Sequence, residues 1–128
     1  MDTTFFVADT GSGTFAGARA SLARLARLGE GWLGGVGARP TPRALDGACG
    51  MLVALESSDA PAPRVYPTVA GGVTLEWVLG QRVVEAEISP MGRIEVCVCS
   101  LEADTETRSD RLSAGAVAEL VAELAHLQ

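Results

Sequence analysis

Between residues 64 and 99, apolar and polar positions alternate in four short runs separated by glycine-containing turns. Arg64–Val69 runs into Gly71-Gly72, Val73–Leu79 into Gly80-Gln81, and Arg82–Ile88 into Ser89-Pro90-Met91-Gly92, before Arg93–Cys99 closes the series. Period-two alternation broken at glycine predicts consecutive hairpins, a four-stranded antiparallel meander. The segments on either side have a different period. From Thr14 to Leu28, Ala18, Leu22, Leu25 and Ala26 recur at spacings of three and four, with Arg19, Arg24 and Arg27 off that stripe and Gly29 at the end. A second helix is expected after Thr41, which can cap it, with Pro42 at its first position. Leu45, Ala48, Cys49, Leu52, Val53 and Leu55 form its apolar face, and Ser57–Pro63 stops it. Leu112–Leu127 reads as a last helix with Val117, Leu120, Val121, Leu124 and Leu127 on one stripe. Leu101–Arg111 is polar and acidic and is expected to be a loop.

These elements predict one α+β domain over residues 1–128: two N-terminal helices, a four-stranded antiparallel meander and a C-terminal helix, with the helices on one face of the sheet. Residues 1–13 are ambiguous. Thr3–Ala8 reads either as a short strand or as part of a loose lead-in, and Asp9–Gly13 as a turn or linker.

Strand alternation separates two faces. Val73, Leu75, Trp77 and Leu79, then Val84, Ala86 and Ile88, then Ile94, Val96 and Val98 share one face and must meet the helices. The other face collects Thr74, Glu76, Val78, Val83, Glu85, Glu87, Glu95, Cys97 and Cys99. A two-residue turn at Gly80-Gln81 sets Glu76 opposite Glu85, and a face-preserving turn after Ile88 sets Glu87 opposite Glu95. Like charges directly opposed across a sheet are destabilising. The four carboxylates are therefore the candidate contact for a basic partner, against the ordinary alternative of a solvated sheet face.

Composition narrows the function classes. The net charge is −6, and all ten basic residues are Arg, with no basic run. That argues against a nucleic-acid partner, which needs a phosphate-neutralising patch. No apolar run approaches the ~18 residues needed to cross a bilayer. The start, Met1-Asp2-Thr3-Thr4, lacks a positive leader, and the three cysteines are an odd number. Free thiols in a reducing cytoplasm are the expectation, with no membrane partner.

Candidate chemistry is sparse. Cys97-Val98-Cys99 puts two thiols on one strand face, but the usual zinc spacing is Cys-x2–4-Cys with further ligands nearby. The remaining candidates, Cys49 and His126, belong to a predicted buried helix face and to the last helical turn. Small packing thiols are the plainer reading, and neither metal nor cofactor is expected. His126 has no nucleophile to serve, so no catalytic residue is nominated. The glycines of 11–13 and 31–37 do not make a Walker loop, which needs a Lys. Trp77 belongs to the core face. Trp32 is the anchor of the glycine-rich loop Gly31–Pro40.

Three segments resemble a family of small uncharacterised bacterial proteins. Glu30-Gly31-Trp32-Leu33-Gly34-Gly35-Val36-Gly37-Ala38-Arg39-Pro40 is similar to a GWLDGEGxAP loop. Val65–Trp77, with Pro67-Thr68 and Gly71-Gly72-Val73-Thr74-Leu75-Glu76-Trp77, is similar to PTPDGGVQLEW, and Val84–Glu95 to an LEIEIDPDGSIE hairpin. Gly34 and Val36 stand where the family's loop has acids, and Met91 where its hairpin has Asp. The resemblance implies an accessory protein of a bacterial gene cluster, antitoxin-like or defence-like. Its partner would be another protein encoded nearby, or a second copy in a homo-oligomer.

The expected function is therefore non-enzymatic binding of a partner protein through Glu76, Glu85, Glu87 and Glu95, or through a sheet edge. Two alternatives stay open. One is a small-molecule binder or enzyme with a pocket beside Trp32, Gly34, Gly35 and Gly37; the other is a structural component of a larger assembly.

Overall fold

A computed structural model describes residues 14–110 and 112–127. The expectations for Thr3–Ala8 and Asp9–Gly13 lie outside the described residues. Helix α1 (Phe15–Leu25) starts where the Thr14 hydroxyl accepts the Gly17 N–H at 3.0 Å, and it buries Ala18, Leu22 and Leu25. Helix α2 (Pro42–Ser57) starts as its sequence predicts. Thr41 accepts the Ala44 N–H at 3.1 Å, and Pro42 occupies the first turn, where a missing N–H costs nothing. The Thr41 hydroxyl also donates to the Pro90 carbonyl at 2.6 Å, which ties the start of the helix to a sheet turn.

The sheet has five strands: β1 (Arg64–Pro67), β2 (Val73–Leu79), β3 (Arg82–Ile88), β4 (Ile94–Ser100) and β5 (Thr105–Asp110), all antiparallel in the order β1-β2-β3-β4-β5. Helix α3 (Ala114–His126) follows, capped by Ser113. The expected architecture holds at the level of α+β class, helix positions and meander. The strand number does not: the predicted loop at 101–111 contains β5. This strand has no apolar alternation, because no described helix covers it and every side chain from Thr105 to Ser109 is exposed. It forms by pairing with β4, from Ser100↔Thr105 to Glu95↔Asp110. The turn before it is closed by Asp104, whose φ is +55°.

All the core lies on one side of the sheet. Val73, Leu75, Trp77, Leu79, Val84, Ala86, Ile88, Ile94 and Val96 are buried, together with Met51 and Leu55 of α2 and Val117 and Val121 of α3. Each such aliphatic side chain contributes roughly 1.5–3 kcal/mol on burial. Trp77 sits in this layer and gives its indole N–H to the Pro61 carbonyl at 2.9 Å. Cys49 and Val53, expected on the buried face of α2, are exposed instead. The buried stripe is Ala44, Ala48, Met51, Leu52 and Leu55, which leaves Cys49 and Val53 on its shoulder.

Two glycines should respond with opposite sign. A Cβ at Gly72 would lie 2.3 Å from the Ile88 carbonyl oxygen, a rigid backbone atom, whereas Gly50 in α2 faces open space. Gly72→Ala is expected to destabilise the fold by about 1–3 kcal/mol. Gly50→Ala is expected to stabilise it by about 0.5–1 kcal/mol. Urea-unfolding midpoints check both.

Candidate functional site

The registers place the outward side chains in cross-strand rows. The first row reads Arg64, Glu76, Glu85, Cys97, Arg108. The second reads Tyr66, Thr74, Glu87, Glu95, and the third Val78, Val83, Cys99, Glu106. Both predicted oppositions are present, Glu76↔Glu85 and Glu87↔Glu95. The Gly80-Gln81 turn keeps the parity from β2 to β3. The Ser89–Arg93 turn, in which Ser89 N–H donates to the Arg93 carbonyl at 2.8 Å, keeps it from β3 to β4.

The flanks of this face carry the counter-charges. Arg64 lies 3.5 Å from Glu76, which also accepts the Tyr66 hydroxyl at 3.4 Å. Arg108 reaches Glu95 at 3.3 Å and Glu106 at 3.5 Å. Among the described residues, neither Glu85 nor Glu87 has a salt bridge. Burial first, and then the charges of Glu76 and Glu87, push the Glu85 carboxyl above its usual range.

Beside the carboxylates lies a thiol pair. Cys97 is only 7% exposed although it belongs to the outer face. Its sulfur is 3.6 Å from that of Cys99, which in turn lies 3.6 Å from a Glu106 carboxylate oxygen. Burial and the hydrogen bonds to Cys99 and Glu106 push the Cys97 thiol up to about 12. A thiol held in that form is a poor nucleophile. Glu106 moves the opposite way, below the usual carboxylate range, because Cys97 donates to it and Arg108 sits beside it. Among the described residues, Cys97, Cys99 and Glu106 form a metal-capable set whose donor atoms all lie within 4.8 Å of one another.

Glu106 and Arg108 were not among the residues nominated from sequence, because their segment reads as a loop. The signal was present but faint: Thr105-Glu106-Thr107-Arg108 alternates β-branched and charged residues at strand period.

The glycine-rich loop is a structural unit. Leu33 and Val36 exchange backbone bonds at 2.8 and 3.0 Å around Gly34-Gly35, whose φ values are +58° and +101°. The Trp32 indole donates to the Ala38 carbonyl at 2.8 Å, and a Cβ at Gly37 would lie 2.8 Å from that ring. Trp32, Gly34, Gly35 and Gly37 are thus brought together, with the ring engaged inside its own loop. The apolar groove lies elsewhere, between α1 and α2. It has a volume of about 440 Å³, is lined by Leu22, Ala23, Leu45, Leu52 and Val53, and is flanked by the 2.6 Å Arg19–Glu56 ion pair. His126 bonds to the Ala122 carbonyl of its own helix at 2.9 Å. No described helix is long and apolar enough to cross a membrane.

No protein-family model, curated protein or solved structure matches this chain.

The raised Glu85 carboxyl has a direction that stability measurements can read. The fold favours its protonated form, so native stability is greatest below the unfolded carboxylate range and falls as pH rises through the folded value. Glu85→Gln is expected to raise the thermal midpoint at pH 7, and the gain should vanish at about pH 3, where the carboxyl is neutral in both states. A gain of equal size at both pH values would contradict this origin.

Proposed function

We propose that this chain is a non-enzymatic interaction protein that holds a basic segment of a partner protein on the outer face of its sheet. The observation that carries the reading is the pairing of like charges, Glu76 against Glu85 and Glu87 against Glu95, on the face of the sheet opposite the described helices. Opposed carboxylates weaken a sheet, and a cationic segment laid across the strands would reverse that cost. The arginines stand at the two ends of the first row and leave its acidic centre open, so an incoming Arg or Lys side chain would meet Glu85 and Glu87 first. The loop and hairpin motifs, similar to those of small bacterial gene-cluster proteins, support an accessory role with a partner encoded nearby.

The test is a tagged pull-down from native lysate with the wild-type chain and with Glu85→Arg and Glu87→Arg. Both positions are exposed, so the folded state should survive. A stoichiometric partner whose affinity falls roughly tenfold or more in the variants, and which weakens with added salt, is the expected result. Partner retention unchanged in both variants would overturn the reading.

A further inference from the structure

The outer face also carries three donor atoms, two of whose separations match those of ligands around a tetrahedral ion. Zinc–sulfur bonds of about 2.3 Å at the tetrahedral angle put two thiolate sulfurs about 3.8 Å apart, and a carboxylate oxygen at about 2.0–2.2 Å from the ion lies about 3.5–3.7 Å from each sulfur. In this protein the Cys97 and Cys99 sulfurs are 3.6 Å apart, and Glu106 Oε2 is 3.6 Å from Cys99 Sγ. The third side, Cys97 to Glu106, closes within 4.8 Å. Glu106 is exposed, so a small torsional change of its side chain, with the Arg108 contact kept on the other oxygen, brings this oxygen in. We propose that Cys97, Cys99 and Glu106 bind one zinc ion across β4 and β5, with the fourth position left to water.

Three further observations point the same way. The first is orientation. Glu106 is divided between two partners: Oε1 lies 3.5 Å from Arg108 Nε, while Oε2 faces Cys99. A carboxylate held by a neighbour on one oxygen presents the other in a fixed direction, as the outer partners of metal ligands commonly do. The second is charge. Two thiolates and one carboxylate carry −3, the ion brings +2, and Arg108, which is shared with Glu95, offsets part of the remainder. The third is surroundings. Cys97 is nearly closed to solvent, and Cys99 pairs with Val83, beyond which lies Val78. One side of the set is therefore apolar, which strengthens the attraction between ion and ligands.

The donor types select the ion. Two thiolates disfavour the hard cations Ca2+ and Mg2+, which take oxygen ligands. A carboxylate as third ligand suits borderline Zn2+ better than Cu(I), which favours sulfur alone. As the two Zn–S bonds form, each thiol releases its proton to the buffer, so binding is proton-coupled. The set adjoins the acidic centre, because Cys97 stands opposite Glu85, but neither Glu85 nor Glu87 is among its ligands, so either assignment can fail without the other.

The test uses the reduced full chain titrated with Zn2+ by calorimetry, and with Co2+ as an optical probe. One ion per chain is expected, with the intense visible bands of tetrahedral cobalt and a sulfur-to-metal charge-transfer band. Cys99→Ser and Glu106→Gln, both away from the core, should each weaken Zn2+ binding at least about tenfold. Glu87→Gln, an acid of the same face outside the set, should leave binding unchanged. Three results would overturn the assignment: no uptake of Zn2+, affinity that survives both ligand variants, or an equal loss with Glu87→Gln, which would mean diffuse attraction to an acidic surface.

Discussion

The dry contact beneath the sheet governs the arrangement of every outward group. Leu75, Ala86 and Val96 lie side by side in the register at the middle of β2, β3 and β4, all buried in the core they share with Met51 and Leu55 of α2. Because side chains alternate, a slip of one residue in any strand would send this row into water and drive a carboxylate or thiol into the core. Burial therefore fixes the parity of each strand. The outer rows, Arg64-Glu76-Glu85-Cys97-Arg108 among them, follow as its complement. Opposed glutamates persist because register is set on the other face, where several kilocalories of apolar burial outweigh a surface repulsion of roughly 0.2–1 kcal/mol.

That division explains how much could be read from the chain alone. The four inner strands were legible because half of each is apolar at period two, and the glycine turns between them fix loop length and hence register. Both glutamate oppositions followed directly. The start of α2 was legible for a different reason, its Thr41-Pro42 cap; Thr14 and Ser113 cap the other two helices in the same way but were not singled out from sequence. β5 was illegible because it buries nothing. A strand held by its backbone ladder and exposed contacts leaves no hydrophobic trace, and polar Thr105–Asp110 looks like the loop it is not. The same reading left Glu106 without a register, and therefore outside the residues nominated from sequence. Cys49 and Val53 failed differently. The apolar stripe of α2 is wider than the surface available to cover it, so its shoulder faces the groove beside α1.

The outer face divides into two electrostatic regimes. Around Glu85 and Glu87, carboxylates crowd together and Glu85 holds its proton more tightly than usual. Two strands further on, Arg108 sits between Glu95 and Glu106, and Glu106 holds its proton less tightly. Glu85 and Glu106 are the same residue type on the same open surface. What separates them is burial first and charge second: Glu85 is partly desolvated and crowded by Glu76 and Glu87, whereas Glu106 has a thiol donor and Arg108 beside it.

The sheet is supported unequally at its two edges. β1 is braced by α1, whereas β5 is attached to β4 by its ladder and by exposed contacts, Arg108 with Glu95 and Glu106 with Cys99. Opening β5 would release no core side chain, so its detachment is governed by these bonds and contacts and is decoupled from global unfolding. Amide hydrogen exchange in the native state should therefore grade across the sheet, slow in β2 and β3 and fast at β5. When β5 lifts, the backbone groups of β4 that it had paired become an unpaired sheet edge, so the polar strand serves as the cover of the more apolar strand beside it.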